Sequence, residues 1–114
     1  NDKVESMPET AKLFSDPSYK VNIQLMLYTL LVSEYYPDLE QPLQAGIFRM
    51  RQFDEGVEWL NEGEAITAST IDEFKSGLTT LIEEIYNPAV PFSQTDDIKR
   101  CRNCDYRHLC SREE

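Results

Sequence analysis

Residues 18–36, SYKVNIQLMLYTLLVSEYY, carry the decision about the fold. Val21, Ile23, Leu25, Met26, Leu27, Tyr28, Leu30, Leu31, Val32, Tyr35 and Tyr36 surround a helix almost completely. A helix apolar on most sides is packed by neighbours on most sides, so this one is predicted to be the central, most buried element. Ser18 is its expected N-cap and Pro37 its stop. Inside it stand two polar residues four apart, Gln24 and Tyr28, with Lys20 one turn earlier on the same stripe.

Upstream, residues 1–17 are polar and aperiodic, punctuated by Pro8 and Pro17, with Leu13 and Phe14 the only apolar anchor. They read as a loop or linker. Downstream, Leu43–Met50 alternates like a strand, Asp54-Glu55-Gly56 reads as a turn, and Val57–Leu60 as a short returning strand. A second helix is predicted from Thr70, where Thr70 and Glu73 form a capping box. Ile71, Phe74, Leu78, Leu81, Ile82 and Ile85 then recur on one face, and Asn87-Pro88 ends it. An extended connector from Ala89 to Lys99 leads to a cysteine segment, residues 99–112. The expected class is α/β: mixed helices with a small sheet remnant over residues 18–114.

Composition narrows the function. The 114 residues suit one domain, and 40% apolar content with 12 aromatic rings supports a modest core. No apolar run approaches the ~18 residues of a membrane span, and no basic-then-apolar leader opens the chain. Three cysteines within ten positions do not make a secreted disulfide scaffold. Residues 1–98 hold 6 basic against 18 acidic side chains, a net of −12, whereas residues 99–112 hold five basic side chains against Asp105 alone, a net of +4. An acidic body repels nucleic acid on average, so any such contact runs through a local basic surface, and the tail is the sequence-local candidate.

The tail reads Cys101-Arg-Asn-Cys104-Asp-Tyr-Arg-His-Leu-Cys110, a C-x2-C-x5-C spacing. Two thiolates from one tight turn and a third about a helical turn and a half later suit soft centres, either Zn(II) or an iron–sulfur cluster. Both ordinarily take four protein ligands. His108 is a cramped fourth zinc ligand beside Cys110; the alternative is a fourth Cys elsewhere. Three unrelated thiols are the plainer reading but the weaker one, because clustered intracellular cysteines more often bind metal. For Gln24, a buried amide without partners would cost ~1–3 kcal/mol, so it either points into a polar site beside the helix or bonds a strand edge or backbone carbonyl.

Taken in order, a Q-x-x-x-Y helix (NIQLMLYTLL), a strand, an amphipathic helix and a Pro-Phe connector ending in C-x2-C-x-Y-x3-C (VPFSQTDDIKRCRNCDYRHLC) resemble the C-terminal part of RecB-like PD-(D/E)XK nucleases. Within that branch the chain is most similar to the AddB-type iron–sulfur exonucleases, over about Tyr19 to Cys110. The resemblance implies a DNA nuclease dependent on divalent metal, usually Mg(II). The family holds that metal on an Asp and a [DE]-x-K pair from adjoining strands, where it polarises the phosphate and activates water. It also implies that Gln24 and Tyr28, with Lys20 beside them, support the active site or contact DNA. Cys101, Cys104 and Cys110, with a fourth Cys far upstream, would hold a 4Fe–4S cluster that pins the tail down.

The catalytic signature itself departs from the family. Glu73-Phe74-Lys75 lies on the amphipathic helix, where Phe74 faces the core and its charged neighbours face solvent. Asp97-Ile98-Lys99 has no strand before it. Neither suits the chemistry, so the catalytic carboxylates and Lys are expected upstream of Asn1. With no Met at its start, the chain is expected to be a C-terminal piece that is inactive alone. Further expectations are a role in recombination or repair, a helicase subunit or domain as partner, self-association through an exposed core face, and a cytoplasmic location, from the missing leader and the reduced thiols. The competing reading is a zinc- or cluster-stabilised interaction module without catalysis.

Overall fold

The computed structural model describes residues 3–40 and 42–112; Asn1 and Asp2, at the head of the expected loop, Gln41, and Glu113 and Glu114, at the end of the expected domain, lie outside them. Among the described residues the architecture is mixed: three α-helices and a two-stranded antiparallel sheet, followed by a turn-rich tail.

The segment read as a loop contains a helix. Thr10–Ser15 forms α1, a six-residue element without the length to persist alone. Tertiary packing holds it: Leu13 is fully buried, and the Phe14 ring stacks on Phe74 at 5.5 Å between centroids. A 3₁₀ turn, Pro17–Tyr19, then leads into α2, Lys20–Tyr35. Ser18 therefore does not cap the long helix, whose cap position is held by Tyr19. The capping chemistry moves one turn earlier, where the Asp16 carboxylate accepts from Ser18 N at 3.0 Å and from Ser18 Oγ at 2.8 Å. Tyr36 and Pro37 end α2 where the sequence placed its stop.

α2 buries one face: Val21, Asn22, Leu25, Met26, Thr29 and Leu30. Its opposite face is uncovered, with Tyr28 54%, Leu31 57% and Tyr35 78% exposed. The helix is central, as its composition implied, but it is packed on one side rather than several among the described residues. The buried amide on it is Asn22 rather than Gln24. Its Oδ1 accepts from Glu5 N at 3.0 Å and its Nδ2 donates to Glu5 O at 2.8 Å. That pair of bonds straps the N-terminal segment across α2 and satisfies an amide that would otherwise be costly.

The sheet is shorter than the alternation implied. β1, Gly46–Phe48, pairs with β2, Val57–Trp59, in the register Gly46↔Trp59, Ile47↔Glu58, Phe48↔Val57. Leu43 joins Ile66 instead, through an isolated bridge. A Cβ at Gly46 would sit 2.6 Å from Val57 Cγ1, so glycine is what lets the strands close. Between them the chain makes 3₁₀ turns over Met50–Glu55 and reverses at Gly56, φ 74°.

α3 spans Ala68–Tyr86, two residues earlier than predicted. Its cap is Thr67, whose Oγ1 accepts from Thr70 N at 3.2 Å, so the Thr70–Glu73 capping box does not form. Phe74 is 2% exposed at the centre of the core, with Ile71, Leu78 and Leu81 half-buried. Ile82 and Ile85, predicted on the same face, are exposed. Asn87 ends the helix, as read. No helix among the described residues is long and apolar enough to cross a membrane.

Candidate functional site

The stripe Lys20–Gln24–Tyr28 runs along α2 on its uncovered side. Helical geometry sets i and i+4 side chains one above the other, and Gln24 Nε2 donates to the Tyr28 hydroxyl at 3.2 Å. Gln24 is exposed, and the bond it makes is to Tyr28 rather than to a strand edge or a backbone carbonyl among the described residues. Tyr28 overlooks a groove of about 300 Å³ between α2 and the approach to β1, with Leu25, Thr29, Val32 and Leu43 among its walls. A polar pair bonded to itself at the lip of an apolar groove can position a strand, a backbone or a phosphodiester. The pair offers hydrogen-bonding groups rather than a charged acid or base.

Both three-residue charge motifs sit where their helical or turn context put them. Phe74 is buried while Glu73 and Lys75 face solvent. Lys75 Nζ donates to Glu34 Oε1 at 2.9 Å, which fastens α3 to α2 and raises the Lys75 pKa through that hydrogen bond. Asp97 caps the 3₁₀ turn Ile98–Cys101, accepting from Lys99 N at 3.2 Å, and pairs with Arg100 at 3.4 Å. Neither triplet lies on a strand.

The cysteine segment is a run of tight turns. Cys104 N donates to Cys101 O at 3.1 Å, and Cys110 N to Tyr106 O at 3.0 Å. All three thiols are free and half-buried. The donor set has the soft character zinc and iron–sulfur centres need, but is one thiolate short of four. Among the described residues no three His, Cys, Asp or Glu side chains are grouped to hold a metal ion. No reaction step through either metal follows from this chain's own side chains.

Two features of the tail lay beyond sequence reasoning. Gln94, in the connector, donates through Nε2 to Cys110 O at 3.1 Å and accepts through Oε1 from Arg112 Nε at 3.0 Å. The connector is thereby tied to the far end of the cysteine segment, sixteen residues on. A glutamine in a polar stretch carries no periodic signal that could have revealed this. Arg100 also acts, weakly, on the Asp16 carboxyl, whose pKa is lowered chiefly by its bond from Ser18 N.

A family profile described as the PD-(D/E)XK nuclease superfamily covers residues 3–111. None of the curated proteins and none of the solved structures matches the chain.

Proposed function

The chain belongs to the PD-(D/E)XK nuclease superfamily, and from that premise we propose that it is the helix-and-tail portion of a RecB-like DNA exonuclease of the AddB iron–sulfur type, acting in recombination or repair. The observation that carries this reading is the Gln24–Tyr28 pair, bonded at 3.2 Å on the uncovered face of α2. An apolar face with a polar pair at its centre suits a helix that lies against catalytic strands and offers two hydrogen-bonding groups to them or to DNA. Lys20, one turn away, adds a positive charge on the DNA side of the same stripe.

The metal-binding carboxylates and the lysine of this site come from outside the described residues. There Mg(II), when bound, polarises the scissile phosphate and activates water. Gln24 and Tyr28 act on orientation, so removing them slows the reaction without abolishing metal binding. Cys101, Cys104 and Cys110 would supply three ligands of a 4Fe–4S centre, with the fourth thiolate also from outside, and binding it would have to draw together three sulfurs that are not grouped in this structure. Its work is to hold the tail in place, and the half-burial of all three sulfurs accords with that. A helicase subunit or domain is the partner this type of nuclease serves.

Degradation of linear DNA with Mg(II) tests the reading, measured for this chain and for the whole polypeptide of its gene. The chain alone is expected to leave DNA intact, and the whole polypeptide to digest it from the ends. Tyr28→Phe and Gln24→Ala in that polypeptide should each lower kcat about 10- to 100-fold, the size of a positioning effect. Metal-dependent digestion by the chain alone, or full activity in both variants, would overturn the assignment. Acid-labile sulfide and iron in the purified protein test the cluster, and zinc in their place would favour the interaction module.

A further inference from the structure

The charge map and the tail's geometry meet at one recess. Ile98, Lys99, Arg102 and Arg112, from the two ends of the cysteine segment, line a hollow of about 330 Å³. Three of its four walls are cationic, and no acidic side chain lines it among the described residues. The neighbouring Asp97 is engaged elsewhere, with Lys99 N and with Arg100. Arg112 is half-buried and held: its Nε donates to Gln94, and its own amide donates to Arg107 O at 2.8 Å. Arg107 in turn donates to the carbonyl of Arg102 at 2.9 Å, which fixes the backbone beneath the second cation. In a chain of net charge −10, three cations around one hollow repel each other unless an anion joins them.

We propose that this recess binds a backbone phosphate of a DNA strand and so forms a contact apart from the α2 stripe. A phosphate offers acceptor oxygens in several directions, which suits two guanidinium groups, one of them held by Gln94, and an ammonium. Choosing DNA as the bearer of the phosphate rests on the nuclease reading; the anion chemistry does not. The body's net of −12 on residues 1–98 then has a consequence. It repels the rest of the strand, so DNA makes its first approach by the tail.

The test is binding of a fluorescein-labelled linear oligonucleotide, duplex and single-stranded, by the full chain in EDTA, so that cleavage plays no part. Lys99→Ala/Arg102→Ala/Arg112→Ala is expected to weaken binding at least about 10-fold at low salt. It should also flatten the dependence of log K on log salt by ~0.9 per lost duplex contact. Gln94→Ala, which removes no charge, is expected to weaken binding about 3-fold by releasing Arg112. Lys12→Ala, which removes one positive charge on α1, should leave binding as it is, whereas Arg102→Ala, an equal charge change in the recess, should weaken it. Melting temperatures identify any variant that fails to fold, and Lys99→Gln and Arg102→Gln, at exposed positions, then replace the triple variant.

Unchanged binding in the triple variant overturns the proposal, as does an equal loss in Lys12→Ala. Unchanged binding in Gln94→Ala reduces the recess to a diffuse field and overturns it as a built site. Saturable uptake of inorganic phosphate with no binding of either oligonucleotide removes the DNA strand. Should the whole polypeptide fail to cut DNA while this binding persists, the nuclease reading falls and the recess stands. If it cuts with the triple variant binding normally, the reverse holds.

Discussion

Glu58 shows how much one side chain can organise here. Its carboxylate accepts from Val4 N at 2.8 Å and from Arg49 at 3.1 and 2.9 Å, so one residue of β2 gathers the N-terminal segment and the far strand. The Val4 amide first, and the Arg49 guanidinium second, hold its pKa below the ordinary glutamate range. The folded state thus binds that proton less tightly than the unfolded chain does. Its contribution is whole above the ordinary glutamate value and drains away as pH falls through the lowered one. In acid titration followed by circular dichroism, Glu58→Gln is expected to flatten the low-pH limb; an unchanged limb would remove Glu58 as its source. Asn22 was hidden in the sequence for a related reason. Asn22 and Gln24 stand two apart on one apolar helix, and only the position of Glu5, seventeen residues upstream, decides which amide is buried.

Caps and close approaches govern the elements. Thr67→Ala should cost ~1 kcal/mol of stability, because the α3 amide at Thr70 loses its acceptor, while Thr70→Ala should cost less. Thermal melts of the two variants separate the cap that forms from the capping box that the sequence suggested. Gly77 is the second case. Alanine ordinarily gains up to ~1 kcal/mol over glycine within a helix. Here its Cβ would sit 2.5 Å from Phe14 Cε2 and 2.6 Å from Thr10 Cγ2, so α1 rests directly on the backbone of α3. Gly77→Ala is expected to destabilise by ~1–3 kcal/mol despite its helix propensity. A rise in melting temperature would mean that α1 yields.

At the scale of the molecule, the radius of gyration is 17.1 Å, where about 13 Å is usual for this length. The core is correspondingly small: Leu13, Val21, Leu25, Met26, Leu30, Leu60 and Phe74. Phe74→Ala is expected to cost ~3–5 kcal/mol, a large part of the ~5–15 kcal/mol that holds a domain together, and to leave the chain unfolded or nearly so at 37 °C. The uncovered side of α2 makes the second prediction. Exposed Leu31 and Tyr35 form the sort of apolar surface that associates, so sedimentation should find assemblies larger than one chain. Leu31→Lys is expected to shift them towards the monomer with little change in melting temperature, since the side chain is outside the core.

Local signals in the sequence were enough for α2, its stop at Pro37, the amphipathic face around Phe74, the hairpin and the closely spaced cysteines. Each depends on side chains within a few turns of one another. The Q-x-x-x-Y helix and the family to which the chain belongs were legible for the same reason, because a motif is a local spacing. Tertiary contact alone made α1 a helix, through Phe74, and moved the strand boundary to Gly46, through Val57. It also turned a helix apolar on most sides into one packed on a single face. Such outcomes depend on residues tens of positions apart. Their energies come from packing and from satisfying buried amides, and neither leaves a periodic trace along the chain.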